Sequence, residues 1–330
     1  MLAGKYINGY HVGNSSQPGY LTYVPPGWGD WYGLQSIEFF GSRVNVNGRS
    51  VVYPADAYQT DIIANLSLSW LRTTWQKEKP FFMWVTPHAP HAPYTPAPRH
   101  KGTLSGLRQP ADPAFNLPDA LQAKLPGHMA NLSLVNVTAM DVIYQSRAEA
   151  LLAVDEMIGD LIDEIDAQGV LDRTWIFFSC DNGYHLGQHR LSPGKREFFE
   201  HDINVPFVVR GPGLAAGRVF DNQVIGNYDL AATFAAIAGA VPTPAAPEMD
   251  GVSLLPLLTG NDSYPVWSRD WSLQEGWYVY LFVARALSLF VALFVALSVL
   301  SLYSLFTLFL SLFTLFLSLR YPFTSQVHHR

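Results

Sequence analysis

One cysteine, Cys180, stands among 330 residues. A single thiol can neither close a disulfide within the chain nor build a thiolate metal centre, so disulfide scaffolds and cysteine-ligated zinc folds are excluded. Clustered positive charge is also missing. With a formal net charge of -6 and a pI near 5.9, no segment gathers the Lys and Arg that phosphate-backbone contacts require, which argues against a nucleic-acid partner. The amino end, Met1-Leu2-Ala3-Gly4-Lys5, shows no charged, apolar and cleavage regions in succession. No signal peptide is visible there, and the chain reads as cytosolic or as lacking its true amino terminus.

Other features bear on compartment too. Asn14, Asn65, Asn131, Asn136 and Asn261 each stand in an Asn-x-Ser/Thr triplet with no intervening proline, acceptor sites whose use would imply the secretory route. Apolar residues make up 49% of the chain, ample for one large α/β domain or two smaller ones.

Tyr6 to Val52 is rich in Gly, Pro, Tyr and Trp, with Pro25-Pro26-Gly27-Trp28-Gly29 as a turn cluster, and predicts loop with short strands. Thr60 can cap a helix carrying Ile62, Ile63, Leu66, Trp70 and Leu71, with Pro80 beyond its end. Phe81-Phe82-Met83-Trp84-Val85 reads as a buried strand, Pro87 to Pro98 as a proline-dense loop, and Gly102 to Gly127 as a long excursion outside the core. Leu151, Val154, Ile158, Leu161, Ile162 and Ile165 mark one apolar helix face, and Gly169 is placed for a left-handed cap. Trp175 to Ser179 and Asn204 to Arg210 read as further strands. Asp229 can cap an Ala-rich helix ending near Gly239. Continuous apolar strands alternating with helices predict an α/β fold, a mostly parallel sheet with helices on both faces. In such folds ligands gather at the carboxyl ends of strands.

From Trp277 to Leu319 the only charge is Arg285, and units such as Phe-Val-Ala-Leu recur. The stretch exceeds the roughly 20 apolar residues that span a bilayer. Residues 286–319 therefore suit a membrane anchor, with Arg320, His328, His329 and Arg330 on the cytoplasmic side. A tandem repeat this regular reads equally as mistranslated, out-of-frame sequence. The expected organisation is one partial α/β domain over 1–276 and a hydrophobic low-complexity tail over 277–330.

Chemistry concentrates at three places. Cys180-Asp181-Asn182-Gly183-Tyr184-His185 follows the strand that ends at Ser179. An Asp carboxylate beside an Asn amide offers two hard oxygens suited to Ca²⁺ or Mg²⁺, with Gly183 allowing the sharp turn; Asp-Asn-Gly is equally an ordinary turn signal. The following Gly187 to Arg196 puts cations within about a dozen residues of that carboxylate, either as a clamp for a tetrahedral oxyanion or as a solvated charged loop. Pro87-His88-Ala89-Pro90-His91-Ala92-Pro93-Tyr94 sets two histidines on a stiff loop after a strand, able to protonate a leaving group or simply to form a rigid surface. Lys5, in Gly4-Lys5-Tyr6-Ile7-Asn8, says nothing taken alone.

Together these segments resemble the sulfatase family, and its N-acetylglucosamine-6-sulfatase and plant and algal arylsulfatase branches most closely. The resemblance runs from about Leu2 to Gln274 and rests on Gly-Lys-Tyr-Ile-Asn, Pro-Pro-Gly-Trp, Pro-Phe-Phe-Met-Trp-Val-Thr-Pro-His-Ala-Pro-His-Ala-Pro and Asp-Asn-Gly-Tyr-His-Leu-Gly-Gln-His, in that order. It implies an alkaline-phosphatase-like fold, incomplete here at both ends, and a sulfuric ester hydrolase acting on a sulfated carbohydrate or aryl sulfate in the secretory pathway. By the same resemblance Asp181 and Asn182 are metal ligands, for Ca²⁺ rather than Mg²⁺. Lys5 and Lys195 bind the sulfate, His91 protonates or steadies the leaving oxygen, and His88 and His185 are lesser substrate-side candidates.

The family's formylglycine nucleophile is made from Cys or Ser in a Cys/Ser-x-Pro-x-Arg setting, and no residue of this chain stands in one. The paired Asp-Asp that the family places upstream of the lysine motif is also missing, and Ile7 stands where many sulfatases have histidine. The expectation is thus a sulfatase fragment that is inactive as it stands. Two rivals are a phosphoryl-transfer member of the same superfamily and a non-catalytic, membrane-anchored sulfate-binding module.

Overall fold

The chain enters the interior of its sheet within three residues, in a computed structural model that describes residues 1–10, 21–220, 223–240, 248–260 and 269. Strand β1 (Leu2–Gly4) is buried throughout and lies between β2 (Trp31–Leu34) and β5 (Trp84–Thr86), parallel to both. Beyond β2, β3 (Arg43–Val46) and β4 (Arg49–Val52) complete the order β4-β3-β2-β1-β5. The β3–β4 link is Asn47-Gly48, with φ of 48° and 86°, the two-residue pairing whose positive φ values match strand twist. That hairpin makes β3–β4 antiparallel, and β2–β3 is antiparallel too, so the α/β expectation holds while the sheet is mixed. A separate antiparallel pair joins β6 (Ile176–Phe178) to β7 (Val208–Arg210).

The strand expected over Phe81 to Val85 as a buried element starts three residues later, ends one later and lies on an edge. Among the described residues β5 pairs only with β1, and Phe82 and Trp84 are 46% and 49% exposed. An apolar run alone cannot tell a central strand from an edge strand.

Helix α1 (Gln59–Ser69) begins one residue before the expected cap, from Tyr58, and Thr60 is buried in its first turn. Gln59 donates to the Glu38 carbonyl at 2.8 Å, which fixes the earlier start. The helix widens into a π turn over Trp70–Thr74, where Trp70 Nε1 donates to Asp30 at 2.8 Å. After the short α2 (Asp119–Gln122), helix α3 (Val137–Ala167) runs for 31 residues. Asn136 Oδ1 caps it by accepting from the Ala139 N–H at 3.0 Å. It closes at Gln168, with Gly169 at φ 69° as expected and the Val170 N–H returning to Ile165 O at 3.2 Å. The face it buries is Ala150, Ala153, Val154, Met157 and Ile165, whereas Leu151 is 41% exposed. Small side chains at that seam let α1 and α3 pack closely over the core they share with the sheet.

Met1–Lys195 and Glu200–Pro212 form one compact unit, which includes α4 (Glu200–Ile203); Arg196–Phe199 and the residues from Gly213 form another. In the second, α5 (Asp229–Ile237) starts from Tyr228, so Asp229 is not the cap itself. Its carboxylate instead accepts from the N–H groups of Gly226 and Val252 and pairs with Arg269. The α5 segment ends before Gly239, which has φ 62°, and α6 (Leu255–Thr259) follows. No helix of the described residues is long and apolar enough to cross a membrane. The boundary at 276/277 and the hydrophobic tail, including residues 286–319, lie outside the described residues.

Candidate active site

All the expected site residues belong to the first unit and follow the ends of three strands. Gly4, the last residue of β1, has φ 123°, and a Cβ placed on it would stand 2.1 Å from the carbonyl oxygen of Thr86. Only glycine permits that approach. It lets the Lys5 N–H donate to Thr86 O at 2.8 Å, while Thr86 Oγ1 donates to Lys5 O at 2.5 Å. Lys5 is thereby fixed beside the end of β5, just before the histidine loop.

In that loop Ala89-Pro90 and Ala92-Pro93 are cis peptides. His88 is buried, with its ring 5.5 Å from Phe39 and stacked on His91 at 4.6 Å. His91 is exposed, and its Nδ1 lies 3.0 Å from Ala92 O. A carbonyl can only accept, so Nδ1 is the donor in that contact. The structure thus separates the two histidines: His91 stands at the surface and His88 supports its ring from below.

The third strand end, after β6, holds Asp181, which is exposed, and Asn182, which is half-buried. Asn182 Nδ2 donates to Gly183 O at 2.8 Å, which orients Oδ1 outward to accept from Lys195 Nζ at 2.7 Å. The expected role of Gly183 as a sharp turn takes another physical form. Its φ is not positive, but a Cβ there would lie 2.1 Å from His201 O. The segment is wedged against α4 and its N–H donates to Asp202 O at 2.8 Å.

His185 lies away from the surface. Its Nδ1 is 2.8 Å and 3.0 Å from the two carboxylate oxygens of Asp202, both side chains being buried. Its backbone exchanges hydrogen bonds with Gly194. That double tie holds the Asp181–Tyr184 turn, the approach to Lys195 and α4 together. Arg190, in the cationic stretch, also turns inward, donating to Leu117 O, Leu132 O and Asp119. Of that stretch, Lys195 is the cation seen at the Asn182 oxygen.

Two loops far apart in sequence meet through residues the sequence did not single out. The Tyr94 and Tyr184 hydroxyls are 2.7 Å apart. Arg147, from α3, lies over the Tyr184 ring at 4.0 Å and donates to Pro90 O at 3.1 Å. Burial first, and then the bond to Tyr94, raise the Tyr184 phenol well above its ordinary value, with Arg147 opposing. Cys180 feels the same surroundings: loss of water raises its thiol, Asp181 adds to the rise, and Arg147 and Lys195 oppose it. A protonated thiol is a poor nucleophile. A lone arginine on a helix face carries no sequence signal of such a position.

Asp181 and Asn182 fit a calcium ion only in part. A calcium ion takes about six to eight oxygens, and among the described residues no group of three or more His, Cys, Asp or Glu side chains converges. These residues do not make a calcium site by themselves, and the chain supplies no formylglycine precursor motif.

Strand ends in both sheets thus carry hard oxygens, a lysine and an exposed histidine, groups suited to holding an oxyanion. The family model described as Sulfatase matches residues 9–240, and the chain belongs to the sulfatase family. N-acetylglucosamine-6-sulfatase of Homo sapiens is 36% identical over 280 residues, covering 82% of this chain and 48% of that protein. Arylsulfatase of Volvox carteri is 31% identical, covering 76% and 42%. The chain spans about half the length of the curated relatives it matches. A solved structure in complex with its substrate D-glucosamine-2-N,6-O-disulfate shares the fold, with TM-score 0.62 and 22% identity over 78% of this chain and 61% of that one. Phosphonate monoester hydrolase of Agrobacterium radiobacter does so at TM-score 0.51 and 23% identity, covering 76% and 48%.

Proposed function

We propose that this chain supplies the sulfate-holding and leaving-group side of a sulfuric ester hydrolase acting on sulfated carbohydrates or aryl sulfates. The observation that carries this reading is the Lys195–Asn182 contact at 2.7 Å, beside a loop that presents His91 and is tied in by Tyr94 and Tyr184. In it, Lys195 and Lys5 hold the peripheral sulfuryl oxygens, where fixed cations stabilise charge without reorganising. In its doubly protonated form His91 gives the Nε2 proton to the departing alcohol oxygen. A divalent cation at Asp181 and Asn182 would need further oxygens beyond these two side chains.

The chain alone does not hydrolyse sulfate esters on this reading, because it encodes no residue in the formylglycine setting. The secretory route is proposed with it. Asn65, Asn131 and Asn136 are exposed acceptor asparagines, and one relative is named an extracellular sulfatase, of Drosophila melanogaster, at 34% identity; Asn14 and Asn261 lie outside the described residues. The test is to incubate the purified chain with an aryl sulfate and to titrate it with inorganic sulfate. No aryl sulfate turnover, with saturable sulfate binding that Lys195→Met weakens at least tenfold, is expected. Turnover would end the inactivity claim, and absence of sulfate binding would end the sulfate-holding one.

A further inference from the structure

Arg147, a cation beside the site, meets no carboxylate among the described residues. Arg147 reaches from α3 to the junction of the histidine loop and the Asp181–Tyr184 turn. Its guanidinium stacks on Tyr184 at 4.0 Å, lies 5.8 Å from the centre of Tyr94, and gives one N–H to Pro90 O at 3.1 Å. Arg72, Arg99 and Arg190 in the same unit each meet a carboxylate. Among the described residues Arg147 meets none. A guanidinium has five N–H donors in a fixed fork, and the contacts at Arg147 engage one of them.

Removing such a cation from water without neutralising it costs free energy. Burial accordingly lowers the Arg147 pKa, against the opposing influence of Tyr184 and Tyr94. The two tyrosines and the proline carbonyl hold the group still while leaving most of its donors unspent, which is the preorganisation that planar recognition of an oxyanion calls for. Its position is on the site's side of the helix, since its partners Pro90 and Tyr94 lie in the loop that carries His91 and its partner Tyr184 in the turn that carries Asp181 and Asn182.

We propose that Arg147 is a specificity-determining residue that receives a second negatively charged group of the substrate, distinct from the ester sulfate assigned to Lys195 and Lys5. The preferred substrate then carries two anionic groups on one sugar unit or on neighbouring ones. This rests on the sulfate-holding reading above.

The test is calorimetric titration of the full chain with D-glucosamine 6-sulfate and with D-glucosamine 2-N,6-O-disulfate, in wild type, Arg147→Met, Arg147→Lys and Lys195→Met. A charge-assisted contact predicts that wild type binds the disulfate about tenfold more tightly than the monosulfate. Arg147→Met is expected to bind the two sugars alike. Arg147→Lys, which keeps the charge and the apolar stem should the methionine variant not fold, is expected to keep only part of the preference. Lys195→Met is expected to weaken both sugars. Equal binding of the two by wild type, or a preference that survives Arg147→Met, overturns the assignment of Arg147 while leaving the sulfate-holding reading in place. Failure of wild type to bind either sugar overturns both.

Discussion

Gly4 and Lys5 show how a single missing side chain positions a charged one. Adding a methyl group at Gly4 sets a carbon 2.1 Å from a backbone oxygen of β5 at a φ of 123°, so neither partner can yield without breaking the β1–β5 pairing. Gly4→Ala is expected to destabilise the chain by about 3 kcal/mol or more, measured by urea denaturation. Gly27, also at positive φ, has open space around it, and Gly27→Ala is expected to cost markedly less. At Cys180 the surroundings raise the thiol above its ordinary value. Alkylation at pH 8 is therefore expected to be slower than for a free cysteine peptide, and to slow further in Arg147→Met, which removes a cation that favours the thiolate.

Helix α3 is the element that ties the first unit together. Asn136→Ala, which removes its cap, is expected to cost about 1 kcal/mol in thermal or chemical denaturation. Three glutamates on this helix titrate below their ordinary value of 4.5. Burial alone would raise Glu149, but the N–H groups of Gly102 and Leu104 and the Gln145 amide outweigh it. Arg99 leads the lowering of Glu156, and Gln168 with Arg72 that of Glu164. A folded pKa below the unfolded one contributes stability that is complete above the unfolded value and is lost as pH falls through the folded value. Helical circular dichroism is thus expected to hold down to about pH 4.5 and to decline below it, more gently in Glu149→Gln. A helix over Leu151 to Ile165 was legible from spacing. Its fourteen-residue extension back to Val137 was not, because the turns carrying Arg147 and Glu149 are polar and their partners lie in the loops around Pro90 and Leu104.

At the scale of the whole molecule, the exposed edge at β5 is the feature with consequences for behaviour in solution. Phe82 and Trp84 flank Trp28 at ring distances of 6.2 Å and 6.3 Å, forming an apolar patch beside a strand paired on one side only among the described residues. Such edges promote association. Sedimentation velocity is expected to show concentration-dependent self-association of the chain, reduced by Trp84→Lys.

The sequence by itself determined the family, because four short motifs in order need no tertiary information, and it determined that His91, Asp181 and Asn182 follow strand ends; that Lys5 follows one as well, β1, only the structure decided. Local rules also sufficed for the Gly169 cap and for the absence of a formylglycine setting. Tertiary structure alone decided which of the two loop histidines faces outward, and that His185 is spent on Asp202 and Arg190 on the Leu117–Leu132 excursion. It decided too that Arg147 stands beside the site with no carboxylate partner among the described residues. These are outcomes of contacts between segments tens of residues apart, and neither periodicity nor spacing encodes which polar side chain finds its partner inside the protein and which is left to find one in a ligand.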